Sequence, residues 1–393
     1  MKPLRDELSD AVQRSGLPGV VGAAAGPRQL VDATCCGHLA LGTDEDAMSL
    51  DTVFWVASIT KVVTAVAVLQ LVEQGSIRLE DEVARFLPFF DKLEVLTSSG
   101  LVPARGRVNV GHLLTHTAGF GYEAWSRPLS DHVVHKELPP ARLGTRASLE
   151  RPLLVEPGAM WNYGIGMDWA GLLVEEVSRM PLANYLQAHV FGPLDMRSTG
   201  FTPAAAAGQA ALYARQRDGA LVLTLSAPNP DREFDSGGAG LYSTPRDVLR
   251  LLQGILRAHE GSTKEVISPE TVAHARLNQI GLLDVRDLPS CAVERTMGLS
   301  LFPGKRKKWS YFGLLHLEGQ PGGRSAGSVS WAGVANTFFW IDFESAIAAV
   351  VFAQSLPFLD PTILRIVDLY ERSLYSRRWP VAAERQPGEL SAL

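Results

Sequence analysis

From Val62 to Val72 the chain runs through eleven residues of which only Thr64 and Gln70 are polar. A helix that is apolar nearly all round cannot lie on a surface; protein must surround it on every side. The run is well short of the ~20 apolar residues of a membrane span, and no other stretch reaches that length. The chain must therefore build a core thick enough to enclose a helix. Its 393 residues suffice for one large domain or for two lobes sharing a cleft. With 46% hydrophobic and 20% charged residues it is too apolar for disorder.

The rest of the pattern says how that core is built. Residues 4–15 read as an amphipathic helix with Leu4, Leu8, Ala11 and Val12 on one face. Strand-like segments follow at Gly19 to Ala24 and Gln29 to Leu41. The centre, roughly 60–290, is dominated by helical patterns such as Lys61 to Gln74, Met167 to Arg179 and Pro245 to His259. Strands return at Met297 to Phe302, Val334 to Ile341 and Ala346 to Ala353, before a helix from Asp360 to Tyr375. The expectation is an α/β fold: an antiparallel sheet built from both chain ends, flanked by helices, with a mostly helical second lobe. The sheet lobe would take about 1–60 and 295–393 and the helical lobe about 61–294, as one catalytic unit with its site in the groove between them.

Charge and cysteine content exclude several classes. A net charge of −5 with 37 Lys plus Arg gives no support to nucleic-acid binding. The run Lys305 to Lys308, between Gly304 and Trp309, reads as a solvated turn between strands. The polar start, Met1 to Glu7, has no apolar signal core, and three cysteines (Cys35, Cys36 and Cys291) make no disulfide framework. The expectation is a cytoplasmic protein with neither a membrane nor a nucleic-acid partner, and without a metal site or a cysteine nucleophile.

Three motifs carry chemistry. Ser58 and Lys61 stand three residues apart at the head of the apolar helix, so they share a face. Burial disfavours the lysine's ammonium form, and the helix dipole favours an alkoxide developing on the serine. A serine cap followed by a surface lysine has the same spacing, but a solvated lysine is out of place before so apolar a run. The second motif is the turn-rich Glu156 to Gly166, from which Tyr163 can project its phenol into a cleft. Beside a cationic lysine the phenolate is favoured, so Tyr163 can act as base toward Ser58 and later as acid toward a leaving group. In the third, Gly327 to Thr337, small residues let a substrate lie along the backbone, and the N–H of Val334 pairs with that of Ser58 as an oxyanion hole.

In this order, the pieces resemble the serine β-lactamase and penicillin-binding-protein superfamily. Within it they resemble the class C-like branch of family VIII carboxylesterases and lovastatin-type acyltransferases. Leu113 to Phe120, Pro157 to Tyr163, Val190 to Met196 and Gly237 to Thr244 match as well, so the resemblance covers nearly the whole chain. It implies Ser58 as nucleophile, Lys61 as proton-transfer partner, Tyr163 as general base and Val334 as second oxyanion N–H. It also implies no metal and no organic cofactor, and only a loop-positioning role for His112 and His116.

Two departures narrow the substrate. The tyrosine motif ends in Ile165 where Asn is usual, and the strand motif reads Trp331-Ala332-Gly333 where a cationic or imidazole side chain usually leads. An indole offers no charge to a β-lactam carboxylate. The expected function is therefore an esterase or acyltransferase acting through an acyl-Ser58 intermediate on a neutral, hydrophobic ester or thioester. Its partners would be a small-molecule acyl donor and an alcohol acceptor or acyl carrier. Trp331, Gly333, Phe120, Tyr122 and Trp161 are expected to contact substrate, with Trp125 beside them. A β-lactamase or D-amino-acid peptidase is the second reading, and a catalytically silent scaffold the third.

Overall fold

In the computed structural model, helix α1 (Leu4–Ser15) precedes strands β1 (Gly19–Ala25) and β2 (Leu30–Gly37). The structure describes residues 4–377 apart from 44–45, 204–207, 225–228, 230 and 262–263. Helices α2 (Thr60–Glu73), α3 (Gly166–Ser178) and α4 (Pro245–His259) dominate the middle of the chain. Strands β3 (Lys307–Ser310), β4 (Gly313–His316), β5 (Val329–Gly333), β6 (Thr337–Asp342) and β7 (Ile347–Phe352) then lead to helix α5 (Pro361–Ser376). Among the described residues no helix is long and apolar enough to cross a membrane.

The seven strands form one sheet in the order β2-β1-β7-β6-β5-β4-β3, every neighbour antiparallel. The two ends of the chain meet in its interior, where Val21 of β1 lies opposite Phe352 of β7 and Ala25 opposite Ala348. The sequence of β1, Gly-Val-Val-Gly-Ala-Ala-Ala, is buried along its length because helices press close on it. At Gly22 an added Cβ would stand 2.6 Å from the Tyr370 ring of α5. Helix α4 packs on β1 and β7, while α1 packs on β2 and α5. Helix α2 is enclosed as its composition demands: every residue from Thr60 to Leu71 is buried, and α3 lies along it. Each buried Val or Leu there contributes about 1.5–3 kcal/mol, so the helix is held by packing rather than by propensity.

Three local expectations need correction. Met297 to Phe302 is not a strand: Gly298 and Phe302 have φ of +110° and +54°, and only Leu299 bridges to a neighbour, Leu288. The strand expected from Val334 begins at Thr337. Asn336 takes φ +60° and donates its N–H to the Gly333 carbonyl (2.9 Å), which closes a hairpin turn between β5 and β6. The basic run is not a solvated turn either, for Lys307 and Lys308 open strand β3 and are buried. Their ammonium groups find Asp287 at 2.7 Å and Asp284 at 3.0 Å, the pairing that buried cations require.

Candidate active site

Ser58 sits in a single turn of 3-10 helix, Ala57–Ile59, that runs straight into α2. Ala57 has φ +46°, a left-handed conformation that costs a non-glycine residue of order 1–3 kcal/mol and persists only where its surroundings impose it. Here they do. The Val56 N–H donates to Leu241 O (3.1 Å), and Val56 O accepts from the Thr337 hydroxyl of β6 (3.1 Å). The Thr60 hydroxyl donates to Ala57 O (2.6 Å) and accepts from the Leu241 N–H (3.1 Å). The serine is left half-buried.

Gly333 explains how β5 reaches this turn. A Cβ there would lie 2.3 Å from both Val56 O and Thr337 Oγ1, so its missing side chain makes room for the backbone that leads into the Ser58 turn. We expect Gly333→Ala to push β5 off the Ser58 turn. The overpacking should cost ~1–3 kcal/mol of stability and a larger share of activity. A melting temperature and an esterase rate both equal to wild type would contradict this.

The Lys61 ammonium is 5% exposed and donates to Ser58 Oγ at 3.1 Å, Tyr122 Oη at 3.3 Å and Gly238 O at 2.7 Å. Three acceptors match its three protons. Behind it lies Asp168, buried in α3, which accepts the Ser236 hydroxyl and the Gly238 N–H (3.1 Å). Burial pushes the Asp168 carboxyl up, against the opposing pull of the Lys61 charge and these bonds. Asp168 thus holds the carbonyl-bearing turn that holds Lys61. It escaped the sequence reading, although a lone carboxylate within Met167 to Val174 was its signal.

The Tyr163 hydroxyl donates to Ser58 Oγ at 2.8 Å and accepts from Trp331 Nε1–H at 3.2 Å. Its loop is tied down by Asn162 N–H to His116 O (2.8 Å), Gly158 N–H to Thr117 O (2.8 Å) and Asn162 Nδ2 to Phe120 O (2.7 Å). His112 forms a capping box with Asn109. The ring of His116 packs against Tyr163 and Trp309 with centroids 4.7 and 5.0 Å away. Complete burial, with the nearby Lys61 charge, holds its imidazole well below the usual range, so it is neutral. Burial likewise pushes the Tyr122 phenol well above its usual range, which keeps it protonated.

The expected substrate contacts divide. Phe120 and Trp161 are 2% and 0% exposed, Phe120 set edge-on to Phe90 and Trp161 packed on Trp309. Both rings are packed into the core. Trp331 is also buried, and with Trp161 it lines a small pocket shared with Arg286 and Leu299. Tyr122, Trp125 and Val334 are half-buried and offer the accessible apolar surface. Among the described residues the N–H groups of Ser58 and Val334 have no hydrogen-bond acceptor, and no group of three or more His, Cys, Asp or Glu side chains could hold a metal.

Comparisons with known proteins show the family of the chain and its fold. A family model described as Beta-lactamase matches residues 4–369. Monacolin J acid methylbutanoyltransferase of Aspergillus terreus is 28% identical over 394 aligned residues, covering 93% of this chain and 94% of its own. Esterase EstB of Burkholderia gladioli is 35% identical over 262 residues, 60% of this chain and 64% of its own. Unliganded simvastatin synthase (LovD) from Aspergillus terreus has a similar structure, with a TM-score of 0.81 at 27% identity over 95% of this chain and 97% of that one. The chain belongs to the Beta-lactamase family and is an enzyme of the hydrolase/acyltransferase kind.

Proposed function

We propose that this enzyme is a serine esterase/acyltransferase that forms an acyl-Ser58 intermediate from a neutral, hydrophobic ester or thioester. The observation that carries the reading is one hydroxyl held by two proton-transfer groups, Ser58 Oγ at 2.8 Å from Tyr163 Oη and 3.1 Å from Lys61 Nζ. Tyr163 is the base of this reading, with Lys61 Nζ 4.9 Å from its ring centroid. It takes the Ser58 proton as Oγ bonds to the carbonyl carbon. The oxyanion that forms is received by the N–H groups of Ser58 and Val334. Tyr163 returns its proton to the departing alkoxide or thiolate as the tetrahedral intermediate collapses. Water or an alcohol then releases the acyl group by the reverse sequence.

The substrate class rests on what surrounds the serine. Trp331 supplies no formal charge, and Tyr122, Trp125 and Val334 give the mouth an apolar surface. Relatives named as a methylbutanoyltransferase and an esterase support an acyl donor of this kind; the acceptor in this reading is an alcohol or an acyl carrier. A chromogenic short-chain ester and a chromogenic cephalosporin separate the readings. We expect turnover of the ester, an intact-mass adduct of one acyl group on wild type, and little cephalosporin hydrolysis. Preference for the cephalosporin would replace this substrate class with a β-lactam; neither turnover nor adduct across a panel of esters and thioesters would remove the acyl-enzyme.

A further inference from the structure

Trp331 was expected to touch substrate, yet its ring is 4% exposed and its single polar atom is already engaged with Tyr163. The chemistry of that bond has a fixed direction. An indole nitrogen can only donate, so the Tyr163 oxygen must accept at 3.2 Å. When Tyr163 carries a proton, that proton is left to point along the 2.8 Å line to Ser58. When the proton is gone, the phenolate keeps a donor that never leaves it.

We propose that Trp331 is the positioning residue of the proton transfer: its N–H aims the Tyr163 oxygen at Ser58 and stabilises that oxygen as the acceptor of the serine proton. This rests on Tyr163 being the base. The indole gives up no proton; one proton moves from Ser58 Oγ to Tyr163 Oη, and the Nε1–H bond strengthens as charge builds on the phenol oxygen.

The other groups around Tyr163 do not duplicate this part. Lys61 of α2 lies under the ring at 4.9 Å, and its three protons go to other acceptors. His116 meets the ring from the helix Val110–Thr115 as a neutral imidazole. Tyr122 stands 5.2 Å away as a protonated phenol, with Glu123 beside it in sequence. Asp168 of α3 bonds Ser236 and Gly238, and Arg286 bonds Asn162 (3.0 Å) rather than the phenol. Of the described residues, Trp331 alone donates to the Tyr163 oxygen besides the Ser58 contact.

The test replaces Trp331 with Phe, which keeps an aromatic ring, and with β-(3-benzothienyl)alanine, which keeps the indole's shape with sulfur in place of N–H. Losing a hydrogen bond to a charged oxygen should lower kcat/KM for a chromogenic ester about 10- to 100-fold. The loss should fall on kcat with KM unchanged in both variants, because the donor acts on the proton transfer and not on substrate binding. A packing role would spare the benzothienyl enzyme, which keeps the ring's shape. A benzothienyl enzyme with wild-type kcat would overturn the proposal, and this variant decides should Trp331→Phe fold poorly. If Tyr163→Phe remains inactive in that case, the base assignment stands and only the role of Trp331 falls. If Tyr163→Phe is fully active, the base assignment falls first.

Discussion

Ser58→Ala is expected to lose ~10⁵–10⁶ in kcat toward esters, the scale seen when a nucleophile is removed from a serine enzyme. The side chain is half-buried and anchors no neighbouring backbone, because the turn around it is held through Val56, Ala57 and Thr60. Lys61 keeps Tyr122 and Gly238 as acceptors when the hydroxyl is gone. The variant should therefore melt within a few degrees of wild type while giving no acyl adduct by intact mass. An adduct that persists on the alanine protein would place the nucleophile elsewhere and dismiss the acyl-Ser58 intermediate.

Tyr163→Phe comes second, at about 10²–10⁴ in rate, the usual contribution of a positioned general base. The phenyl ring can keep the contacts with His116 at 4.7 Å and Trp331 at 5.0 Å, so the aromatic cluster should survive. What disappears is one oxygen that joins Ser58 and Trp331. The Trp331 N–H is then buried without an acceptor, at a cost of about 1–3 kcal/mol. Stopped-flow acylation with an activated ester should show the loss in adduct formation itself. Adduct formation at wild-type speed, with only release slowed, would confine the phenol to the second half of the reaction.

Much of this arrangement was legible in the residues. Helix positions followed from periodicity, and Pro245 to His259 agrees at both ends because Thr244 caps it with Pro245 at the first turn. Ser58 and Lys61 were legible as a pair because residues three apart in a helical stretch share a face, and the 3-10 turn of Ser58 runs on into α2. Beyond the misplaced strand bounds at 297–302 and 334–336, the misses involve contacts between distant parts of the chain. Nothing near Lys307 and Lys308 announces that Asp284 and Asp287 will cover them. The carbonyl that fixes Lys61 belongs to Gly238, 177 positions away. Gly333 looked like a place for a ligand because a small residue advertises a close approach without saying what approaches; Val56 does. A sequence likewise shows the rings of Phe120 and Trp161 without showing that both are buried.

The way β1 and β7 meet inside the sheet bears on how the enzyme comes off the ribosome. Ser58 is made early, but β5 and β6, which press on its turn, follow about 270 residues later. At ~5–20 residues per second that interval lasts roughly fifteen seconds to a minute. Throughout it, β1 waits as a wholly apolar strand with no β7 to pair with, exposed to sticking and in want of a chaperone. A nascent chain stopped before residue 337 would carry the reactive hydroxyl and the lysine yet be unable to catalyse anything, so activity should switch on only with synthesis of the closing strands.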